Sequence, residues 1–491
     1  MNFLRNNWFI ILLVCLTILV CSWQLNALPL TAYDEVIYAR VTHDTLHSSS
    51  LVSLQQFGHP WLEKPPLYFW LAMISTSLFG DHEWAYRLPS VLSALAVALL
   101  LFLIANQLGL KRHWSVLSAL ILTTIPYWFI VMRQVRVDGL LIAFFLLALY
   151  WLIRSWQQPK YALGIAPAIA LAIMTKSVAA ISILPILLVF SGVYHQWQWL
   201  RSRWFYFGTA LALLIVVPWH WYEASIYGQT FWTTYLGFNV LQRATQGFGL
   251  QATHWYDYFV TLGKLAQPWY TLWILSLLAG LVSWKRWSSS SVTKKLWLAS
   301  SLSSLGIIIL YSLFKTHIPT YILPAYPFMA LSLVCVLSFI STIFNQKFTF
   351  ARRWLLISGV VLMALVVGIS YQVGRSIMPG LHFAFDSELK SIGQTVKVLR
   401  QPNDRFYQLA WPVGDTLSYY ADMPIATVKM PAAGQSVNVE GPLYLFLQTE
   451  FMPIFFDEQG KIDPAFSELR VKYRSDHFVL LFSDKTIEIK N

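Results

Sequence analysis

Apolar runs long enough to cross a lipid bilayer dominate residues 1–372 and constrain the fold more than any other feature. They lie at residues 8–28, 86–108, 113–131, 138–153, 161–175, 178–194, 204–221, 268–284, 296–314, 321–343 and 354–372. The hydrocarbon core of a bilayer is about 30 Å thick, so a spanning helix needs about 20 predominantly apolar residues. The pattern predicts an all-α polytopic membrane protein with about eleven transmembrane helices.

The composition supports this class and argues against others. The chain of 491 residues is 57% hydrophobic and 12% charged, whereas soluble domains have about 25% charged residues. The net charge of +12 does not indicate a nucleic acid partner, because the basic residues are spread through short loops. The three cysteines lie in apolar runs, and their spacing is typical neither of a disulfide framework nor of a metal-thiolate site. The first run is longer than a signal-peptide core, so we expect it to be retained as a helix.

The charged residues give a predicted orientation. If the N-terminus is cytoplasmic, the inner segments carry 14 basic residues and no acidic ones, while the outer segments up to residue 372 carry nine of each. An excess of Lys and Arg marks the cytoplasmic side. Every carboxylate of the membrane portion is then expected on the outer face.

The sequence changes character after residue 372. Residues 373–491 carry 12 basic and 14 acidic residues, and with an odd number of spans they lie outside. An amphipathic pattern predicts a helix at 386–401, and apolar segments predict strands within 405–411, 441–448 and 477–484. We therefore expect a membrane domain at 1–372, with long outer loops at 29–85 and 222–267, and a small extracytoplasmic α/β domain at 373–491. Long loops of this kind are often lids or binding loops, and the α/β domain is expected to be a structural or acceptor-facing cap.

The outer loops combine carboxylates with cations. The carboxylates of interest are Asp34, Glu35, Glu63 and Asp138, and the cations are Lys64, Arg133, Arg136, Lys176, Arg243 and Lys315. A carboxylate can take the proton of an acceptor hydroxyl, and Lys or Arg can hold a phosphate while it leaves with negative charge. Because nucleotide sugars are normally absent outside the cytoplasm, a sugar donor there would be linked to a polyprenyl phosphate.

Each of these features also has a purely structural interpretation. Two carboxylates after an apolar run can be a solvated helix end, and a lysine before two prolines can anchor the chain at the interface. Arginines that flank a short helix can pair with Asp138, and loop histidines such as His254 and His317 are more simply packed side chains. The shared placement on one face favours the functional interpretation.

Six motifs follow one another along the chain. They are YDEVIYAR (33–40), WLEKPPLYFWL (61–71), HEWAYRLPSVL (82–92), RVDGLL (136–141), MTKSVA (174–179) and KTHIPTYILPAYP (315–327). In this order they resemble the C-type integral-membrane glycosyltransferases of the ArnT and protein O-mannosyltransferase superfamily. The resemblance is nearest to the bacterial branch that contains the lipid A aminoarabinose transferase.

The resemblance implies an inverting transfer from a polyprenyl-phosphate sugar, such as an undecaprenyl-phosphate sugar, to an envelope lipid such as lipid A, a glycan or a protein. It places the reaction on the outer face of a bacterial inner membrane and the C-terminal domain in the periplasm. It implies a catalytic role for Asp34 and phosphate binding by Lys64, and it matches Glu63, Asp138, Lys176, Lys315 and Tyr321 to elements of the family's site. From this match and the placement of the charges on the outer face, we expect catalytic roles for Asp34, Glu35 and Asp138. We expect donor-phosphate binding by Lys64, Arg133, Arg136, Lys176, Arg243 and Lys315, and supporting roles for Glu63, Tyr321 and His317.

The sequence departs from the pattern of the resemblance at several positions. Ile37 stands where the aminoarabinose transferases have an arginine, and Ser177 stands where the family has a glycine. No certain counterpart of a family histidine occurs near 239–245. No cofactor is therefore certain, and a divalent metal stays open, with Glu63 and His254 as weak candidates.

Two other functions compete with the enzyme. A transporter or flippase of lipid-linked sugars needs polar groups near the bilayer midplane, whereas the charges here lie in the outer loops, which favours the enzyme. An O-antigen polymerase or ligase also faces outward, but we do not expect it to carry Asp34 and the EKPPL and PTYILP segments in this order.

Overall fold

The computed structural model describes most of the chain, with gaps. It describes residues 2–23, 25–26, 29–31, 33–246, 254–287, 291–345, 383–409, 414–429, 436–457, 461–475 and 477–490. The predicted span at 354–372 and the predicted domain boundary at residue 372 lie outside the described residues.

The described residues group into two compact units. The first, which we call the membrane unit, takes its residues from Met1–Leu25, Ser50–Leu54 and Pro60–Pro379. The second, which we call the C-terminal unit, takes its residues from Asn26–Ser49, Gln55–His59 and Gly380–Asn491. The segment that begins with Asp34 therefore groups with the C-terminal unit, although the sequence analysis assigned it to the membrane domain.

Helices make up the membrane unit. In chain order they are α1 (Asn2–Ser22), α3 (Leu67–Phe79), α4 (Glu83–Gln107), α5 (Arg112–Thr124), α6 (Pro126–Val131), α7 (Asp138–Ser155), α8 (Ile165–Lys176), α9 (Ile183–Tyr194), α10 (Arg203–Trp232), α11 (Arg243–Thr245), α12 (Asp257–Leu265), α13 (Trp269–Val282), α14 (Val292–Ser312) and α15 (Tyr326–Asn345). Helix α2 (Asp34–Leu46) lies between α1 and α3 in the sequence but is part of the C-terminal unit. Short 3-10 helices occur at Pro159–Gly164, Ser177–Ser182, Gln198–Arg201 and Pro319–Ala325, and a π-helix at Thr233–Gln242.

Two segments that the sequence analysis predicted as long loops contain regular structure. Segment 29–85 holds α2 and α3, and segment 222–267 holds the end of α10, the π-helix and α12. Proline marks some of the helix starts. Pro126 is the first residue of α6, and Pro319 is the first residue of the 3-10 helix Pro319–Ala325. At this position the missing N–H costs no intrahelical hydrogen bond.

Six of the described helical stretches are long and apolar enough to cross a membrane. They are Glu83–Gln107, Asp138–Ser155, Pro159–Tyr194, Arg203–Thr245, Val292–Ser312 and Pro319–Ile343. A seventh is obtained if α12 and α13, which are bent by 120° relative to each other, form one span. The chain is thus a multi-pass membrane protein, and the number of about eleven spans stays a prediction.

The core of the membrane unit surrounds α15. In the most apolar 18 residues of Pro319–Ile343, 89% of the residues are buried. In the most apolar 18 residues of Arg203–Thr245, only 11% are buried. Leu149 of α7, Phe190 of α9 and Val334 of α15 are fully buried in one apolar cluster. Apart from Trp219 and Phe231, the large apolar side chains of α10 are at least partly exposed, which is the expected surface for contact with lipid chains.

The C-terminal unit has an α/β fold. Its other helices are α16 (Phe383–Leu399) and α17 (Gly414–Ala421), and its strands are β1 (Gln55–Gln56), β3 (Arg405–Leu409), β4 (Ile425–Val428), β5 (Ser436–Val439), β6 (Leu443–Gln448), β7 (Arg470–Arg474), β8 (Phe478–Ser483) and β9 (Ile487–Lys490). Strand β2 (His59–Pro60) pairs with β1. The main sheet has the order β4-β3-β6-β8-β7, with β3 parallel to β4 and β6 and with β8 antiparallel to β6 and β7.

Candidate active site

Three charged side chains meet at the ends of two membrane helices. Lys176 is the last residue of α8, and its Nζ donates a hydrogen bond to Oδ1 of Asp138, the first residue of α7, at 2.6 Å. Arg136 donates from Nε to Oδ2 of the same carboxylate at 3.3 Å. The side chain of Asp138 is 5% exposed and each of the two cations is 15% exposed. Each carboxylate oxygen therefore serves one cation in a nearly closed cluster, which we call the Asp138 cluster.

Side chains from α3 and α4 hold the backbone next to this cluster. The backbone N–H of Arg136 donates to Tyr68 Oη at 3.1 Å and to Ser90 Oγ at 3.3 Å. Ser90 Oγ donates back to the carbonyl oxygen of Arg136 at 3.2 Å, and the two hydroxyls lie 2.7 Å apart. These contacts fix the turn that precedes α7, and with it the direction of both Arg136 and Asp138.

Two backbone features shape the same region. A Cβ atom on Gly139 would lie 2.8 Å from Sδ of Met132 and 3.3 Å from Cβ of Ser93, so glycine lets the first turn of α7 approach α4 closely. Ser177 follows Lys176 with φ 55° and ψ −138°, a conformation that residues with side chains rarely adopt. This turn ends α8 at Lys176 and leads the chain into the next 3-10 helix.

An aromatic ring lies beside the Lys176 ammonium. The Nζ atom of Lys176 is 5.2 Å from the ring centroid of Tyr321, which is within the range of a cation–π interaction. The Tyr321 ring packs against that of Tyr311 at 5.6 Å, and the Tyr311 hydroxyl donates to Ser182 Oγ at 3.2 Å. Four predicted site residues from three motifs therefore meet in one place.

The Glu-Lys-Pro-Pro segment lies close to the same helices. Leu62 packs with Met174, two residues before Lys176, in one apolar cluster. Glu63 and Lys64 are half-buried, and α3 begins three residues after Lys64. The segment that carries the predicted phosphate-binding Lys64 is thus packed against the end of α8.

Lys315 and Arg243 lie on two segments that contact each other. The backbone N–H of Lys315 donates to the carbonyl oxygen of Ala244 at 3.0 Å, while the Lys315 side chain is exposed. The guanidinium of Arg243 lies 5.7 Å from the ring centroid of Phe238. The two cations are thus carried by neighbouring segments of the membrane unit.

The guanidinium of Arg133 binds the chain just after α1 and packs against an aromatic ring. The group donates to the carbonyl oxygen of Trp23, just after α1, and lies 4.6 Å from the ring centroid of Phe129. These contacts tie the end of α1 to the segment that follows α6.

His317 and His254 share the carboxylate of Asp257. Nδ1 of His317 lies 3.0 Å from Oδ2 of Asp257, and the backbone N–H of His254 donates to the same oxygen at 2.7 Å. The His317 ring packs on Tyr258 at 4.9 Å, and its side chain is 7% exposed, as in a packed loop histidine. Among the described residues, no group of three or more His, Cys, Asp or Glu side chains could hold a metal ion. Glu63 and His254 thus belong to no such group among the described residues.

Asp34 and Glu35 open helix α2 in the C-terminal unit. Asp34 is half-buried, and Tyr33 before it has φ 68°. Glu35 is 1% exposed, and its Oε2 accepts hydrogen bonds from the backbone N–H and from the hydroxyl of Thr31, both at 2.8 Å. Glu35 thus holds the segment that leads into α2, whereas Asp34 is the carboxylate that retains partial exposure.

A buried carboxylate in α10 was not among the predicted site residues. Glu223 is fully buried, and its Oε2 accepts a hydrogen bond from Ser53 Oγ at 3.2 Å. Ser53 Oγ lies 3.0 Å from Tyr227 Oη. The other oxygen of Glu223 is buried and has no hydrogen-bond partner among the residues that the structure describes. A lone carboxylate inside an apolar run is the sequence signal that could have singled it out.

Comparison with known sequences gives consistent matches. Residues 63–222 match the family described as dolichyl-phosphate-mannose-protein mannosyltransferase. An undecaprenyl phosphate-alpha-4-amino-4-deoxy-L-arabinose arabinosyl transferase from Serratia proteamaculans is 27% identical over 395 residues, which cover 78% of this chain and 68% of that protein. A transferase of the same description from Pseudomonas fluorescens is 28% identical over 306 residues, which cover 59% of this chain and 52% of that protein.

Solved structures share the fold. ArnT from Cupriavidus metallidurans, in a crystal structure with bound undecaprenyl phosphate, matches with a TM-score of 0.72 at 16% identity, over 97% of this chain and 98% of that chain. An oligosaccharyltransferase from Archaeoglobus fulgidus matches with a TM-score of 0.54 at 11% identity, over 87% of this chain and 65% of that chain. The fold, the family match and the named relatives agree. The chain is a glycosyltransferase that is similar in sequence to the arabinosyl transferases and shares the fold of ArnT.

In this glycosyltransferase the residues that organise the site were only partly visible in the sequence. Tyr68 and Ser90 lie within two of the motifs, yet nothing in the sequence indicates that their hydroxyls hold the backbone of Arg136. The positive φ of Ser177 has a clearer signal, because the resembling family has a glycine there. Ile37, which replaces an arginine of the aminoarabinose transferases, is half-buried in α2.

Proposed function

We propose that this glycosyltransferase transfers a sugar, with inversion, from a polyprenyl-phosphate donor to an acceptor in the cell envelope. The proposal places the reaction on the outer face of a bacterial inner membrane and the C-terminal unit on the periplasmic side. The Serratia and Pseudomonas relatives, whose names include undecaprenyl phosphate, support such a donor.

The Asp138 cluster carries the proposal. Lys176 and Arg136 are largely withdrawn from water at helix ends, and both contact the carboxylate of Asp138. An ammonium and a guanidinium that are already desolvated and oriented bind a phosphate strongly, because a charge-assisted hydrogen bond is about twice as strong as a neutral one. Asp138 then acts as an orienting carboxylate between the cations.

The neighbouring segments extend the donor site in this proposal. Lys64 on the adjacent segment, together with Lys315 and Arg243, supplies further cations for the phosphate, while the Tyr321 ring lies against Lys176. Arg133 is assigned a structural role, because its guanidinium already binds the end of α1.

The proposed reaction is a displacement at the anomeric carbon of the sugar. An oxygen of the acceptor forms a bond to that carbon while the bond from the carbon to the donor phosphate oxygen breaks. The electron pair of the broken bond stays on the polyprenyl phosphate, where the cations stabilise it. Asp34 accepts the proton of an acceptor hydroxyl, and if the acceptor is itself a phosphate, Asp34 positions it instead.

The nature of the acceptor is part of the proposal. The resemblance of the sequence motifs to the lipid A aminoarabinose transferases favours a lipid acceptor such as lipid A, and the mannosyltransferase family match favours a protein. Mass spectrometry of envelope glycolipids and glycoproteins from a deletion strain would identify the acceptor, because the modified species loses one sugar mass.

The test of the reaction uses the purified full chain in proteoliposomes with a radiolabelled undecaprenyl-phosphate sugar and an envelope extract as acceptor. Release of sugar-free undecaprenyl phosphate is measured, because it does not require the acceptor to be known. Lys176→Met is expected to lower kcat/KM for the donor roughly 100-fold, and Asp34→Asn to lower kcat roughly 100-fold. Lys160→Met, at an exposed lysine, is the matched control and should keep full activity.

The same experiment separates the enzyme from a flippase. A flippase would move the labelled donor between leaflets without releasing undecaprenyl phosphate. Undiminished release by Asp34→Asn, at a normal protein level, would refute the role of Asp34, and undiminished release by Lys176→Met would refute the phosphate site.

A further inference from the structure

The helix that begins with Asp34 is held by side chains from the other end of the chain. Helix α2 follows the first membrane helix in sequence, yet it groups with residues 380–491 in the C-terminal unit. Helices α2 and α17 pack against each other in this unit. The position of Asp34 therefore depends on α17 and the residues that follow it.

An arginine links α2 to the chain just after α17. Nη1 of Arg40 donates to Oδ1 of Asp422 at 2.7 Å, and Nε of Arg40 donates to Oδ2 of Asp44 at 2.7 Å. The guanidinium also lies 4.1 Å from the ring centroid of Phe57. Phe57 is tied to the same helix, because its backbone N–H donates to Asp44 at 2.7 Å. Arg40 thus joins α2, the β1–β2 turn and the end of α17 through one planar group.

Asp422 is itself fixed by a second set of cations. Nη2 of Arg400 lies 3.2 Å and Nζ of Lys397 lies 3.7 Å from its Oδ2, the oxygen that does not bind Arg40. Arg400 also donates to the carbonyl oxygen of Asp422. Both oxygens of the carboxylate are engaged, so Asp422 presents a defined position to Arg40.

A tyrosine of α17 fixes the segment that leads into α2. The backbone N–H of Leu30 donates to the hydroxyl of Tyr420 at 2.8 Å, and both residues are buried. One residue further on, Thr31 donates twice to Glu35 in the first turn of α2. Asp34 lies between Thr31 and Glu35, so its backbone is held on both sides.

We propose that the C-terminal unit positions Asp34 for catalysis, with Tyr420, Asp422 and Arg40 as positioning residues. This inference rests on the proposed function, because it assumes that Asp34 is the carboxylate of the reaction. It assigns the C-terminal unit a role in the reaction rate beyond that of a cap. A displaced catalytic group lowers the rate of the chemical step, because the reacting groups must be held in near-attack geometry.

The variants Tyr420→Phe and Asp422→Asn test the proposal in the full chain. Tyr420→Phe keeps the ring and removes one hydroxyl, and Asp422→Asn keeps the shape and removes the charge. The matched control is Glu468→Gln, which breaks an exposed ion pair with Lys485 in the same unit at 2.6 Å. Two quantities are measured: hydrogen–deuterium exchange of residues 29–46, and kcat and KM for the undecaprenyl-phosphate sugar.

The proposal predicts a specific combination of results. Exchange of residues 29–46 should rise about fivefold for Tyr420→Phe, the factor expected for loss of one buried hydrogen bond. The kcat should fall by at least about fivefold while KM for the donor is unchanged, since only the chemical step depends on Asp34. Exchange of the core strands β6 and β8 should not change, and Glu468→Gln should behave like the natural protein.

Other results would overturn it. Faster exchange of residues 29–46 with an unchanged kcat would show that the contacts hold α2 without serving the reaction. Unchanged exchange would show that these contacts do not hold α2. If Asp422→Asn also loosens β6 and β8, Tyr420→Phe decides the matter, because it removes a single atom. Full activity of Asp34→Asn would refute the assignment of Asp34 alone, and the absence of donor cleavage by the natural protein would refute the proposed function. Hydrogen–deuterium exchange does not depend on activity, so it shows whether the contacts hold α2 even if the role of Asp34 or the proposed function is refuted.

Discussion

Nζ of Lys176 lies 2.6 Å from Oδ1 of Asp138, although the two residues are 38 positions apart in the sequence. This pair joins the end of α8 to the start of α7 inside the membrane unit. The carboxylate also binds Arg136, so each of its oxygens contacts a cation. An ammonium and a guanidinium held at one place suit the binding of a phosphate.

The first prediction concerns the coupling within this pair. Asp138→Ala leaves two largely buried cations without their carboxylate, and it should destabilise the protein by about 3–5 kcal/mol. Lys176→Ala should be less harmful, because Arg136 still pairs with Asp138. The double variant should be less destabilised than the sum of the single variants, with a coupling of about 1–3 kcal/mol. Thermal unfolding of the purified protein in detergent measures these differences.

A pair on the surface provides the control for this cycle. The same cycle on Lys485 and Glu468, whose side chains are 70% and 42% exposed, should give a coupling of at most about 1 kcal/mol. Additive effects at Asp138 and Lys176 would contradict the structural interpretation of the cluster.

The second prediction concerns the backbone after Lys176. Ser177 has φ 55°, which costs of order 1–3 kcal/mol for a residue with a side chain. Ser177→Gly should therefore raise the thermal midpoint by a few degrees and leave donor cleavage intact. Ser332→Gly, in the interior of α15, should lower the midpoint instead, because glycine destabilises a helix by roughly 0.5–1 kcal/mol. A lower midpoint for Ser177→Gly would show that the serine side chain has a role that outweighs the strain.

Local patterns in the sequence predicted part of this structure. Hydropathy is read over neighbouring residues, so it predicted helices such as α4 and α15. It also predicted that 138 and 176 lie near helix ends, where charges are tolerated. The pairing of Lys176 with Asp138 depends on how α7 and α8 pack, which no local pattern encodes. The contact between Arg40 and Asp422 spans 382 positions, and a single sequence offers no signal for it.

The third prediction concerns pH. Burial raises the pKa of the Asp44 carboxyl, but hydrogen bonds from His43 and Arg40 outweigh this and hold the pKa below its usual range. Burial also raises the pKa of Asp422, and the hydrogen bond and charge of Arg40 outweigh it in the same way. A lowered folded-state pKa contributes stability that is present above the unfolded value of about 3.9 and is lost as the pH falls through the folded value. The full chain should therefore unfold at a lower temperature when the pH is brought below about 4.

A comparison with Asp422→Asn isolates the part of this effect that involves Arg40. The natural protein should exceed the variant in thermal midpoint by a few degrees at pH 7, and the difference should shrink as the pH falls below about 4 and through the lowered folded-state pKa of the Asp422 carboxyl. A gap between the natural protein and Asp422→Asn that does not depend on pH would mean that the charge of Asp422 does not stabilise the C-terminal unit.

The last prediction concerns the buried carboxylate of α10. Glu223 is fully buried, with one oxygen bound to Ser53 and the other without a hydrogen-bond partner among the described residues. Burial of a charge without full pairing is costly, whereas a neutral amide of the same shape can still accept the hydrogen bond from Ser53. Glu223→Gln should therefore raise the thermal midpoint in detergent, and Glu223→Ala should lower it by an amount that corresponds to about 1–3 kcal/mol.

The hydrogen bond between Ser53 and Glu223 gives a second test. Ser53→Ala should lower the midpoint when it is made in the natural protein more than when it is added to Glu223→Ala, because the Ser53 hydroxyl has already lost its acceptor in that variant. If Glu223→Gln instead destabilises the protein as strongly as Glu223→Ala, the negative charge itself is required, and Glu223 would have to be paired with a cation in the membrane.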